Sequence, residues 1–160
     1  MRVLKKCIIR IVSIISWGLL WPCAIMYFFS KNREDIYRDI MANMKFRSAK
    51  LTGVSAVLYV LLQDRYYRTL FYYRVGYISL LIRWLWHGDN SFSISCPNIG
   101  GGMFCIHPTS TYLNAKFIGE NFHCRQNTTI GNKEDIRPNE RPSIGDNVKV
   151  GANVVIIGNI

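Results

Sequence analysis

Three histidines and five cysteines carry most of this chain's capacity for acid-base and nucleophilic chemistry, and one histidine has a setting of its own. His107 stands between Ile106 and Pro108 in the segment GGGMFCIHPTS. An imidazole titrates near neutral pH, so a histidine presented at a surface can take the proton of an attacking hydroxyl. The alternative for His107 is an ordinary turn residue ahead of a proline. Cys7, Cys23, Cys96, Cys105 and Cys124 are scattered without CxxC spacing or an even disulfide framework, and none stands beside a recognisable base. They read as reduced thiols in a cytosolic compartment, with no disulfides expected. The triplet Gly100-Gly101-Gly102 lacks the GK[ST] of a phosphate loop. A zinc site needs three closely placed histidines or their equivalent, and only His107 and His123 fall in the second half of the chain, so no metal is expected.

The elements that must position His107 fall into two regions of different composition. Residues 1–90 hold fourteen Lys/Arg against five Asp/Glu, whereas residues 91–160 hold six against five, so +9 of the net charge of +10 belongs to the first region. Its positive charges sit among long apolar runs and form no base-reading or zinc-finger module, which points to anionic lipid head groups and away from nucleic acid. Residues 11–30 (IVSIISWGLLWPCAIMYFFS) carry no charge and are long enough to cross a bilayer as a helix. Pro22 near the middle and basic residues on both sides fit a re-entrant or interfacial hairpin better than a span, with a buried helix of an N-terminal bundle as the other reading. The run ends in bulky Met26, Tyr27, Phe28 and Phe29, unlike a signal-peptide cleavage site, so it is expected to be kept.

Farther on, residues 54–62 (VSAVLYVLL) read as a buried helix. Residues 66–86 interleave aromatics with Arg65, Arg68, Arg74 and Arg83 at helical spacing, the pattern of a helix on a membrane surface with snorkelling arginines, or of an amphipathic core helix. Residues 87–90 (HGDN) give a helix stop and a linker, with His87 structural.

The second region is periodic. IGENFH (118–123), CRQNTT (124–129), IGDNVK (144–149) and VGANVV (150–155) each begin with an aliphatic residue or cysteine and put a medium side chain fifth. IGGGMF (99–104), CIHPTS (105–110) and TYLNAK (111–116) continue the register upstream, with Phe117 as one extra residue. Each unit reads as a short strand and a tight turn, with the first residue inward, the fifth in a corner, and Gly or a small polar residue at the turn. His123, last in its unit, is expected at a solvent-facing turn, and residues 133–143 (KEDIRPNERPS) as a projecting loop.

Residues 99–160 resemble the serine acetyltransferase family of hexapeptide-repeat acyltransferases. GGGMFCIHPTSTYLNAKFIG is similar to the stretch with that family's catalytic histidine, TTIGN to the end of its next coil, and RPSIGDNVKVGANVVIIGNI to its CoA-side coils. LLWPCAIMYFFSKNREDIYRDI and YYRTLFYYRVG are similar to a membrane-proximal branch from polysaccharide gene clusters. The resemblance implies an α+β chain: an N-terminal helical region (1–90), then a left-handed parallel β-helix (91–160) that stops in mid-unit where family members run on. It implies acetyl transfer from acetyl-CoA to the hydroxyl of L-serine, or of a polysaccharide sugar, by His107 as general base without an acyl-enzyme. A non-catalytic membrane-bound scaffold is the alternative from another class. The family further implies a homotrimer with sites between subunits, in the cytoplasm or on a membrane through residues 11–30. Gly131, Asn132, Lys133, Gly151 and Ala152 are the expected acetyl-CoA contacts, because small turn residues let a ligand approach the main chain. Lys133 or Lys149 could meet a phosphate. Where serine-specific members carry a second histidine before a proline, this chain has Arg141-Pro142, and Arg141 could hold a carboxylate or phosphate of the substrate. Asp89 is the candidate for the carboxylate that orients His107.

Overall fold

The computed structural model describes residues 18–133 and 140–160 of the chain. Helices come first: α1 (Trp21–Phe29), α2 (Arg33–Phe46), α3 (Gly53–Gln63) and α4 (Arg65–Val75), then a 3₁₀ turn (Gly76–Ser79) and the single turn α5 (Leu80–Arg83). Pro22 lies in the first turn of α1, where a proline forfeits no helical hydrogen bond. Glu34 and Asp35 occupy the first turn of α2 and Lys45 its last, as the helix dipole favours. Asp64 caps α4, its Oδ1 accepting the amides of Tyr66 and Tyr67 at 3.0 Å each. Gly76, at φ +77°, ends that helix, so residues 66–86 are not the single surface helix expected from their spacing.

No helix among the described residues is long and apolar enough to cross a membrane. Of the apolar stretch 11–30, residues 11–17 lie outside the described part. The expected loop is described only at its ends, residues 133 and 140–143.

Eight strands follow among the described residues: β1 (Phe92–Ile94), β2 (Phe104–Ile106), β3 (Thr111–Leu113), β4 (Phe117–Ile118), β5 (His123–Arg125), β6 (Thr129–Gly131), β7 (Ser143–Ile144) and β8 (Val155–Ile157). They form three parallel sheets, one of four strands in the order β1-β3-β6-β8 and two of two strands, β2-β5 and β4-β7. This corrects the fold expected above: a left-handed parallel β-helix is not shown, and in its place stand helices followed by short strands in small parallel sheets. The physical reason lies in the register. Phe92 faces Thr111, Tyr112 faces Thr129, Phe117 faces Ser143 and Thr129 faces Val155, so partners stand 19, 17, 26 and 26 residues apart, none of them a multiple of six. Phe117 and residues 133–143 interrupt the repeat, and strands of two or three residues gather where the register permits.

The helical and strand regions share one core. Ile36, Ile40, Val57, Leu61 and Phe71 from the helices join Phe92, Met103, Leu113, Ile118 and Ile130 from the strand region in a continuous buried cluster. Two polar links cross the seam. Arg74 of α4, paired with Asp39 of α2 in the core, donates to the Gly100 carbonyl at 2.7 Å, and Arg38 of α2 grips Glu120 with both terminal nitrogens, at 2.7 and 2.8 Å.

Candidate active site around His107

Within the six-residue units, the first positions Ile118, Cys124, Ile130 and Ile144 are buried, and so are the fifth positions Met103, Phe122 and Thr128. The fourth positions Asn121, Asn127, Asn147 and Asn153 all take left-handed backbone angles, φ +56° to +58°, which asparagine tolerates better than other side chains. Their side chains stack, with Asn121 donating to Asn147 at 3.0 Å and Asn127 to Asn153 at 2.8 Å. Turns are thereby held above one another, and the His107 turn belongs to such a stack.

His107 follows β2 directly and has a φ of +47°, a conformation that costs a non-glycine residue about 1 kcal/mol. Its carbonyl accepts the amide of Thr109 at 2.6 Å, and Pro108 is buried beneath the turn. The histidine itself is exposed, and its imidazole makes no hydrogen bond to any described residue. Asn127 N–H donates to the Thr109 carbonyl at 2.9 Å, and Asn153 N–H donates to the Gln126 carbonyl at 3.1 Å. Gly151 and Ala152, just before Asn153, therefore lie two turns along the stack from His107.

The other expected cofactor contacts lie elsewhere. Gly131 ends β6 and accepts the amide of Gly158 at 3.0 Å, beyond the far end of β8. Asn132 accepts from Asn114 at 2.8 Å, and Arg141 donates to the Oδ1 of the same Asn114 at 3.4 Å. Asn132 and Arg141 thus gather around Asn114, separated by β8 from Gly151 and Ala152. A single contact surface made of all five residues is not what the geometry gives.

Asp89 is also placed differently from its expected role. One oxygen meets Arg65 Nε at 2.7 Å and the other accepts the amide and hydroxyl of Ser91, while its backbone amide donates to Thr69 Oγ1 at 2.8 Å. No hydrogen bond joins it to His107. It anchors the start of β1 to α4 and does not orient the imidazole.

His123 is a strand residue, not the turn residue its position in the unit suggested. It opens β5, faces Phe104 of β2 with ring centroids 5.4 Å apart, and pairs on its other side with Lys149. Its Nε2 is buried without a hydrogen-bond partner. Burial, with Arg125 and Lys149 nearby, holds its pKa below the ordinary histidine value. A groove of about 480 Å³ opens here between α2 and the β2-β5 sheet, lined by Arg38, Met41, Lys45, Phe104, His123 and Lys149 among others. Sequence reading missed this groove. The available signal was that IGENFH and IGDNVK put His123 and Lys149 at the same place in their units; Arg38 and Lys45, distant in the chain, gave none.

Among the described residues no three His, Cys, Asp or Glu side chains are grouped to hold a metal ion. The chain matches no family model, no curated protein and no solved structure.

Proposed function

We propose that the protein is an acetyl-CoA-dependent O-acetyltransferase, similar to serine acetyltransferases, that uses His107 as general base. The observation that carries this reading is the exposed imidazole on the turn after β2, unengaged by any described side chain and stacked with turns that lead to Gly151 and Ala152. An alcohol is a weak nucleophile at neutral pH, so transfer from a thioester calls for a base at its proton and a surface that brings both substrates together. The hydroxyl proton passes to the imidazole as oxygen attacks the acetyl carbonyl. The carbon–sulfur bond then breaks and the thiolate takes the proton back, giving an O-acetyl ester and free CoA thiol. Gly151 and Ala152 are the proposed acetyl-CoA contacts nearest the base, in the cytoplasm and in a homotrimer as the resemblance suggests.

L-serine is the first acceptor to consider. A polysaccharide sugar is the second, favoured by two observations: Arg141, the proposed carboxylate partner, is tied to Asn114, and the helical region exposes a broad apolar surface suited to a membrane-proximal enzyme. Thiol release from acetyl-CoA, measured with serine and with a panel of sugars, tests the proposal. Serine-dependent or sugar-dependent release identifies the acceptor, and absence of release with every acceptor leaves the scaffold reading.

A further inference from the structure

The groove between α2 and the β2-β5 sheet has the composition of an anion site. Arg38, Lys45 and Lys149 line it, His123 forms part of its wall, and no carboxylate is among its lining residues. Glu120, next to the lining residue Asn121, is occupied by the two-pronged bond from Arg38. Among the described residues Lys45 and Lys149 have no ion-pair partner, and Arg125 on β5 adds another exposed positive charge beside His123. Like charges gathered in this way repel one another, and a structural network would have interleaved them with carboxylates.

Two further features point to an organic anion. The Phe104 ring, with Met41 and Ala42 beside it, supplies an apolar wall, and the volume suits a small ligand. The buried Nε2 of His123 leaves one hydrogen-bonding group in the wall unmet. Phosphate esters combine a compact dianion for lysine and arginine with an organic part for the aromatic wall.

We propose that this groove binds a phosphate ester, with Lys45 and Lys149 holding the phosphate and Phe104 supporting the organic part. The idea deepens the acetyltransferase reading and rests on it for one consequence. Phe104 precedes His107 by three residues, about 10 Å of extended chain. A phosphate held in the groove would tether its ester with a hydroxyl within reach of His107, so the phosphate belongs either to the acceptor, a sugar phosphate, or to CoA.

Binding to the full chain by titration calorimetry tests this without reference to activity. The probes are inorganic phosphate, a hexose 1-phosphate, coenzyme A and 3′-dephospho-CoA, applied to wild type, Lys45→Gln, Lys149→Gln and the control Lys116→Gln, whose exposed side chain does not line the groove. The proposal expects at least one ester to bind ten times more tightly than inorganic phosphate, and to lose tenfold or more in both groove variants while Lys116→Gln is unchanged. Loss confined to the hexose phosphate assigns the groove to the acceptor; loss confined to coenzyme A assigns it to the thioester substrate. Absence of binding at millimolar ester, or equal affinity in all four proteins, overturns it. Such a failure alongside acceptor-dependent thiol release would remove the groove assignment and leave the acetyltransferase reading standing.

Discussion

Arg74 Nε donates to Asp39 Oδ2 at 3.0 Å inside the core, and the same guanidinium reaches the Gly100 carbonyl at 2.7 Å and the Ile99 carbonyl beside it. Asp39 also accepts the Met103 amide at 2.7 Å. Two helical side chains therefore fasten the segment that leads into β2 and so to His107. Both are almost fully buried, at 4% and 0% exposure, so removing one partner strands the other in the core.

Arg74→Met should destabilise the protein by about 3 kcal/mol near neutral pH, measured by urea unfolding. Burial pushes the Asp39 carboxyl up to about 7, against the opposing pull of Arg74 and of the Met103 and Gly102 amides. A carboxyl with a folded pKa above its unfolded value, about 4, binds its proton more tightly in the native state. Its contribution to stability is thus fully present below about pH 4 and is lost as pH rises from about 4 through about 7. The unfolding free energy of wild type minus that of Asp39→Asn should fall between pH 4.5 and pH 7.5. A difference that stays constant, or grows, contradicts the assignment.

Cys23, Cys96 and Cys105 should be chemically quiet. Cys105 Sγ and Cys124 Sγ lie 2.9 Å apart on neighbouring strands. Burial raises the thiol pKa of Cys105 well above its ordinary value, brings Cys23 to about 12 and raises Cys96. Thiolate is the reactive form, so iodoacetamide at pH 8 should leave these three unmodified in the native protein and modify them after denaturation, as read by mass spectrometry. Rapid labelling of Cys105 in the folded state would show that the β2-β5 interior is open.

An apolar surface on the helical region should adsorb to lipid. Trp21, Ile25, Phe28 and Phe29 project from α1, and Tyr77, Ile78, Leu80, Leu81 and Trp84 from the turns after α4; all are exposed. Co-sedimentation with anionic vesicles should drop about fivefold or more in a Leu81→Asp/Trp84→Asp variant with an unchanged unfolding midpoint. Equal sedimentation of both proteins would remove the membrane assignment from this surface.

How much of this was legible in the residues depends on the range of the interaction. The inward positions of the repeat could be read directly, because Ile118, Cys124, Ile130 and Ile144 carry their own reason for burial. The gathering of strands was not legible, since register in strands of two or three residues is decided by pairing partners many residues away. Residues 66–86 looked like one amphipathic helix because aromatic and arginine spacing says nothing of Gly76 ending it, or of Asp39 drawing Arg74 inward. Asp89 was a carboxylate at a plausible distance in sequence, and Arg65 and Ser91 claim it in space.

The most direct measurement is the rate of acceptor-dependent thiol release from acetyl-CoA by wild type and by His107→Ala, with serine and sugar acceptors and equal unfolding midpoints for the two proteins. The account predicts a fall of about a hundredfold or more on losing the imidazole, the usual consequence of removing a general base. A variant rate within about threefold of wild type would contradict it.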